Sequence, residues 1–443
     1  MNAAIETRDL VVVPHPSAPQ TLEASGLPFD FLEQLVIKTL HFSGEMSGAL
    51  LARTLGVQHS VIEPILAHLK QHHLGEISGG GLTGGPAFVY RLTDAGRIRA
   101  MLFVEQNQYV GVAPVPFDDY DTYMRAFAFG MPKVATRERV RQAFDNLVLS
   151  QRVLDQLGPA VNGAHSLFVY GPPGNGKTVI SQSVRNLLDG EIAVPRAIFA
   201  DGHVIQVYDP VVHEPVRRDD QSDTMDGGGH RYDARWVACR RPEVVVGGEL
   251  ELEDLELSYS TVSKFYQAPV QLAANGGVLV IDDFGRQKCS PVALLNRWIM
   301  PLESRIDTLT LQTGQKLPVP FVVLVVFATN IRPAQLVDEA FLRRIRYKVF
   351  AESPTRADYK TIFRRCCAER DLEYDDALVD RLIDEIYVPR SIPLRGSHPR
   401  DLIDHVVSLS NYLDVPRQVT MELLRHACNS YFIDEQEQPI RPE

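Results

Sequence analysis

The sequence predicts an α/β fold whose nucleus is a parallel sheet covered by helices, and three observations carry that expectation. A strand-length apolar run, Leu167–Tyr170, leads through GPPGNGKT (Gly171–Thr178) into a helical pattern at Val184, Leu187 and Leu188. Two further runs, Val278–Ile281 and Phe321–Ala328, are continuously apolar, as strands covered on both faces are. These runs end on Asp282–Asp283 and Thr329–Asn330, at the strand ends where open α/β sheets hold their ligands.

Composition sets the bounds. At 443 residues, with 45% hydrophobic and 23% charged side chains, the chain has length for about three compact units. A net charge of −11, from 45 basic and 56 acidic residues, argues against a general nucleic-acid coat and confines any such contact to a local groove. Cys239, Cys289, Cys366, Cys367 and Cys428 are odd in number and lack CxxC spacing, which points to a reducing compartment. The N-terminus lacks the basic start and apolar core of a secretory signal, and no run reaches the ~18 apolar residues of a membrane span. A cytoplasmic location is the expectation.

Residues 1–28 contain four prolines and read as a flexible tail. In residues 29–105, Leu32, Leu35, Val36 and Leu40 recur at helical spacing, and SGALLARTLGV and SVIEPILAHLKQHHL read as two more short helices. Ser60 and Glu63 have capping-box spacing, against which Pro64 sits awkwardly. A strand, a glycine-rich turn, a second strand and a helix opening near Thr93 or Asp94 complete an N-terminal winged helix-turn-helix-like domain. Its six basic and seven acidic residues favour protein docking over DNA recognition. Residues 106–136 read as a linker, and residues 137–352 as a nucleotide-binding core.

In the glycine-rich loop, Gly171, Gly174 and Gly176 let backbone N–H groups converge on phosphate oxygens. The predicted cofactor-binding stretch is Gly171, Pro172, Pro173, Gly174, Asn175, Gly176, Lys177, Thr178 and Val179. Lys177 is expected at the β- and γ-phosphates, and the Thr178 hydroxyl on Mg2+. Asp282 supplies the second metal-side group. Asp283 stands where a base accepts a proton from the attacking water, a reading favoured over capping FGRQ or pairing with Arg286. Asn330 is expected on the γ-phosphate or the attacking water.

Downstream, Arg343 and Arg344 in DEAFLRRIRYKVF are candidates to stabilise charge on a neighbouring subunit's nucleotide. Arg400, in the first turn of a helix with Leu402, Ile403, Val406 and Val407 on one face, is expected to reach the phosphates from a helical lid. Surface pairing with Asp401 or Asp404 is the alternative.

Taken in order, these pieces resemble the AAA+ superfamily of ATPases over roughly residues 137–431, with Walker A at Gly171–Thr178, Walker B at Val278–Asp283 and sensor 1 at Asn330. Arg343 and Arg344 fall at the arginine-finger position and Arg400 at sensor 2. The resemblance implies a five-stranded parallel sheet, a C-terminal helical lid over residues 353–443, ATP with Mg2+ between core and lid, and a ring, commonly a hexamer.

Two departures from the family matter. Walker B ends Asp-Asp where the family usually has Asp-Glu, which implies slow hydrolysis. There is also a long insertion at about residues 209–275. Its His213, Asp219, Asp220, His230 and Asp233 lack metal-site spacing and are expected to be solvated, while GGELELEDLELSYS reads as a strand or hairpin. The expected function is ATP hydrolysis by an oligomeric remodeller that meets a protein partner through the N-terminal domain or the insertion. A DNA-associated regulator and a binding-only nucleotide switch are the alternatives.

Overall fold

In a computed structural model of the chain, residues 15–79, 85–130, 135–163, 166–188, 190–216, 232–336 and 342–432 are described. The organising element is a five-stranded sheet in which every neighbouring pair is parallel. Its spatial order is Glu243–Val246, Val278–Ile281, Leu324–Thr329, Leu167–Tyr170, Tyr347–Phe350. The strand entering the glycine-rich loop is first of the five in the chain but fourth across the sheet. Both its neighbours come from later in the chain, so the crevice beside it is the switch point of the topology.

Continuous apolar runs become the inner strands because both faces are covered. Val278, Leu279, Val280 and Ile281 are each 0% exposed. One face packs on Leu294, Leu295 and Trp298 of the helix Pro291–Ser304, together with Phe168, Phe284 and Phe327. The other packs on Phe144, Leu157, Ile180 and Val184 from the helical segments before and after the loop. Burying each such side chain stabilises by about 1.5–3 kcal/mol. The run expected from Phe321 becomes a strand only at Leu324, because Lys316–Pro320 instead pairs antiparallel with Ile306–Thr310 as a hairpin ahead of it.

Around this core the structure corrects several expectations. Of the segment read as a flexible tail, residues 1–14 lie outside the described residues, while further on Ser25 is 0% and Leu27 5% exposed and Ser17 bridges to Tyr232. The segment read as a linker holds the helix Phe117–Gly130, whose Tyr120, Tyr123, Met124 and Phe127 are buried. Those aromatics join Ile192, Val194, Trp236, Leu309 and Val319 in one hydrophobic cluster. Thus the supposed connector, the insertion and the hairpin share one core.

The cluster is flanked by a second five-stranded sheet, in the order Ser258–Tyr259, Tyr266–Gln267, His203–Gln206, Ala197–Ala200, Val115–Pro116. In GGELELEDLELSYS only Ser258–Tyr259 is strand. Upstream, Gly247 N–H donates to Glu249 Oε1 and Glu251 N–H to Asp254 Oδ2, so side-chain acceptors hold turns where the alternation suggested a ladder. His213 and Asp233 are each 1% exposed rather than solvated. Asp219, Asp220 and His230 lie outside the described residues.

The N-terminal unit runs helix Phe29–Ser43, strand Glu45–Ser47, helices Gly48–Thr54 and His59–Gln71, strands Gly75–Gly79 and Val89–Leu92, and helix Asp94–Gln106. Its strands form an antiparallel sheet with Val89–Leu92 in the middle. The capping box at Ser60 does not form. Gln58 occupies the cap, Ser60 Oγ donates to Gln20 O at 2.6 Å, and Pro64 lies inside the helix.

At the other end, a true capping box between Thr355 and Asp358 opens the helix Arg356–Ala368. This begins the C-terminal helical body, completed by Asp376–Leu382, His398–Leu413 and Met421–Tyr431. Tyr359, Phe363, Leu402, Val406 and Leu424 fill its core.

Candidate functional site at the phosphate-binding loop

The loop between Tyr170 and Lys177 turns on glycines with positive φ. At Gly171 (φ 153°) a Cβ would lie 2.5 Å from Ala351 O, and at Gly174 (φ 78°) 2.8 Å from Ser397 Oγ. No larger residue fits either place without displacing the neighbouring chain. The helix Lys177–Ser183 starts immediately afterwards. Lys177 is 7% exposed and its Nζ donates to Pro172 O at 3.0 Å, so the amine is folded back over the loop. Burial holds its pKa below the usual lysine range, against the pull of Asp283 and Asp282.

Across the sheet, Thr178 Oγ1 donates to Asp282 Oδ2 at 2.7 Å. This contact joins the loop helix to the end of the Val278–Ile281 strand, and it sets two hard oxygen ligands side by side, a donor set suited to Mg2+. Asp283 follows in a left-handed conformation (φ 47°). Its carboxylate neither caps FGRQ nor bonds Arg286. Instead Asp283 Oδ1 accepts from Asn330 Nδ2 at 3.2 Å, while the Arg286 N–H donates to the Asp283 backbone carbonyl at 3.0 Å. Asn330 Oδ1 is buried with no hydrogen-bond partner among the described residues.

Gln287 secures this turn. Its Nε2 donates to Asp282 O at 2.9 Å and its Oε1 accepts from Gly285 N at 2.8 Å. Thr329 Oγ1 donates to Phe284 O at 2.7 Å, pinning the aspartate turn to the asparagine strand. Lys177, Thr178, Asp282, Asp283 and Asn330 are therefore brought together.

The arginines stand apart from this group. Arg344 Nε bonds Glu303 Oε1 at 2.5 Å, and Arg343 is exposed on the turn before the strand Tyr347–Phe350. Arg400 has a side chain 61% exposed and bonds Asp401 Oδ1 at 3.1 and 3.2 Å, the surface pairing that sequence reasoning had set second.

Sequence reasoning missed Gln287, Ser353 and Arg395. Asn175 Nδ2 donates to Ala351 O and Ser353 Oγ, both at 3.3 Å, and Arg395 Nη1 donates to Ser353 Oγ at 2.9 Å. Ser397 N–H donates to Gly174 O at 2.8 Å. The available signal was Arg-Gly-Ser just before a helix, a short stretch able to approach another backbone closely.

A glycine-rich loop whose threonine bonds the aspartate ending a buried parallel strand, with an asparagine strand between them, defines a P-loop protein. The five-stranded parallel sheet agrees with the fold that the resemblance to the AAA+ superfamily implies. A family model described as magnesium chelatase, subunit ChlI, matches residues 146–194, which contain the loop. A second, described as a domain of unknown function (DUF8689), matches residues 355–430.

Among solved structures, the RuvB Holliday junction branch migration motor of Thermotoga maritima is 15% identical. The match covers 65% of this chain and 70% of that one, with a TM-score of 0.38. NtrX of Brucella abortus, solved with ADP, is 13% identical over 62% of this chain and 54% of its own, with a TM-score of 0.38. No curated protein matches the sequence. Among the described residues there is no cluster of metal-binding side chains of the His, Cys, Asp and Glu type, and no helix is long and apolar enough to cross a membrane.

Proposed function

We propose that the chain binds ATP with Mg2+ and hydrolyses it as a self-associating remodeller of a protein partner. The observation that carries this reading is the Thr178–Asp282 contact at 2.7 Å beside the buried Lys177. Thr178 and Asp282 would hold Mg2+, whose chemistry is to offset charge on the phosphate oxygens. Lys177 binds the phosphates, and displacement of its amine from Pro172 O is the first consequence of nucleotide entry.

Asp283 accepts a proton as water attacks the γ-phosphorus, and the bond from that phosphorus to the bridging oxygen breaks to release ADP and phosphate. Asn330 fixes the carboxylate through Nδ2, while its unpartnered Oδ1 offers an acceptor for the water's second proton. Arg343 and Arg344 act on a neighbouring subunit's nucleotide in this reading, which makes turnover depend on assembly.

A protein rather than DNA partner is favoured by the N-terminal unit, whose order of helices and strands supports a winged-helix reading. Its helix Asp94–Gln106 exposes Ile98 (64%), Met101 (56%) and Leu102 (50%), while Arg91 is engaged by Glu76 and Glu45. An apolar stripe suits a protein surface, and neutralised arginines do not suit a phosphate backbone.

The test is ATPase activity measured against protein concentration. Specific activity is expected to rise with concentration, to vanish in Lys177→Ala with loss of ATP binding, and to vanish in Arg344→Ala and Asp283→Asn with binding retained. An Asp283→Asn protein with undiminished turnover overturns the base assignment, and duplex-DNA affinity with a steep salt slope overturns the choice of partner.

A further inference from the structure

We infer that Tyr266 is the joint through which the state of the nucleotide site reaches the helix Asp94–Gln106, placing its exposed apolar face under control of the terminal phosphate. The inference rests on the nucleotide and docking readings above and adds the route between the two sites.

The route begins at the pair Asp283 and Asn330. In chain order, the Asp283 turn is followed by the helix Pro291–Ser304 and by the hairpin of Ile306–Thr310 and Lys316–Pro320. The strand Leu324–Thr329, which leads into Asn330, comes next. Both roots of the hairpin therefore lead back to the site. Neither is loose: Asp307, 1% exposed, accepts from Arg297 Nη1 of that helix at 2.5 Å, and Phe321 N–H donates to Arg305 O at 2.9 Å. Val322 N–H donates to Asn275 Oδ1 at 2.9 Å. A close-packed hairpin held at both roots moves as one piece when Asp283 and Asn330 shift relative to each other.

The far end of the hairpin is tied as well. Its turn closes through Leu311 N–H to Gln315 O at 3.0 Å, and Gln312 N–H donates outward to Tyr266 Oη at 2.9 Å. Tyr266 is 1% exposed, its ring lies 4.9 Å from that of Tyr259 and 5.4 Å from that of His203, and its backbone pairs with Ile205 in the second sheet. The hydroxyl that receives the hairpin is thus fixed in a packed interior.

The turn joining Tyr259 to Tyr266 meets the docking helix. It is held by Ser260 N–H to Phe265 O at 3.1 Å and Lys264 N–H to Ser260 O at 2.7 Å. From it, Ser263 O accepts from Gln108 N–H at 2.9 Å, and Phe265 packs edge-on against Tyr109 at 5.6 Å. Lys264 Nζ donates to Glu105 O, a cation on the carbonyl end of the helix, where the helix dipole favours it. These contacts grip the C-terminal end of the helix that exposes Ile98, Met101 and Leu102. Displacement of the hairpin tip crosses to that helix in two hydrogen-bonded steps, and Tyr266 adjoins both.

The experiment measures hydrogen exchange in the full chain with Mg2+ and either adenylyl imidodiphosphate or ADP. Overlapping peptides over residues 103–110 read the Gln108 amide, and equilibrium binding of both nucleotides is measured beside it. A bound terminal phosphate holds Asn330 and, through it, the hairpin and the turn. Gln108 is therefore expected to exchange at least about 5-fold more slowly with the analogue than with ADP, the low end of ordinary coupling between sites. Tyr266→Phe removes the acceptor and keeps the ring. In that variant the ratio is expected to fall to within about twofold of one, with each nucleotide's affinity within about twofold of wild type.

A wild-type chain that binds both nucleotides yet exchanges Gln108 equally with each overturns the inference and leaves the nucleotide reading standing. A Tyr266→Phe ratio equal to that of wild type also overturns it, as does a loss of affinity for both nucleotides in that variant, which would mark Tyr266 as structural. Where circular dichroism shows Tyr266→Phe unfolded, Lys264→Gly decides. It cuts the second joint and suits the left-handed backbone there (φ 56°), and an unchanged ratio in it overturns the inference. A wild-type chain that binds neither nucleotide overturns the nucleotide reading and this inference together.

Discussion

Asp283 illustrates how much a single residue's role depends on its supports. Its carboxylate is one methylene shorter than a glutamate's, and the left-handed turn at φ 47° sets its direction. That turn is held by Gln287, which spans Asp282 O and Gly285 N. Gln287→Ala is therefore expected to cut ATP turnover roughly 10- to 100-fold, the scale of a small misplacement of a catalytic group. ATP affinity should stay within about threefold; steady-state kinetics beside equilibrium binding separates the two, and a parallel loss of binding would refute the positioning role.

His398 gives the residue scale a pH signature. Burial, with the Arg395 charge adding to it, lowers its pKa from 6.5 to about 4 in the folded chain. As pH falls, the unfolded chain takes up a proton before the folded one does: stability is full above about pH 6.5, falls as pH drops toward 4, and levels off below. The contribution lost across that window is about 3 kcal/mol. Urea titrations at pH 7.5 and 4.5 should show a larger drop for wild type than for His398→Asn; equal drops would assign the acid sensitivity elsewhere.

At the scale of elements, the ends of the aspartate and asparagine strands share one aromatic cluster. Phe327 has ring centroids 5.1 Å from Phe168, 5.1 Å from Phe284 and 6.0 Å from Trp298, and is 0% exposed. Phe284 sits directly after Asp283, so the cluster positions the proposed base as well as stabilising the sheet. Phe327→Ala is expected to cost about 3–5 kcal/mol, the usual range for a buried phenylalanine. ATP turnover of the folded fraction should fall too. A destabilisation below ~1 kcal/mol in a denaturant titration would mean that the space is refilled by neighbours and that the strands do not rely on it.

At the scale of the whole molecule, a buried ion pair within the insertion carries the hydrogen bonds that join it to the N-terminal segment. Arg235 and Asp233 have side chains 3% and 2% exposed, with Nη2 2.8 Å from Oδ2. Arg235 Nη1 also donates to Ser25 O at 3.0 Å, and Asp233 N–H donates to Pro16 O at 2.9 Å. Removing one charge strands the other, so Arg235→Ala should cost about 3–5 kcal/mol, whereas Asp233→Leu with Arg235→Met should cost less. Denaturant titration of single and double variants reads the difference, and limited proteolysis should show residues 15–28 released in the single variant. A double variant no more stable than the single one would show that the pair does not act as a unit.

The sequence by itself determined the glycine-rich loop and the strand ends that face it. The buried strands announce themselves as unbroken apolar runs, and the loop glycines, Lys177, Thr178, Asp282, Asp283 and Asn330 are set by local chemistry at strand ends. The C-terminal helices were legible for the same reason, through the periodicity around Leu402 and Val406. What the sequence could not show are contacts between segments far apart in the chain. The helix Phe117–Gly130 looked like a connector because its prolines and glycines flank it and its aromatics have no local partner; they meet Trp236 and Val319 only after folding. His213 and Asp233 looked solvated because polar residues in a long insertion usually are; backbone acceptors and Arg235 make their burial tolerable. The sequence points to Arg400, in the first turn of an apolar-faced helix, and gives Arg395 no motif. Tertiary structure turns Arg400 to the adjacent Asp401, the pairing the sequence offered second, and places Arg395 on the hydroxyl of Ser353, a contact between distant segments that no local pattern shows.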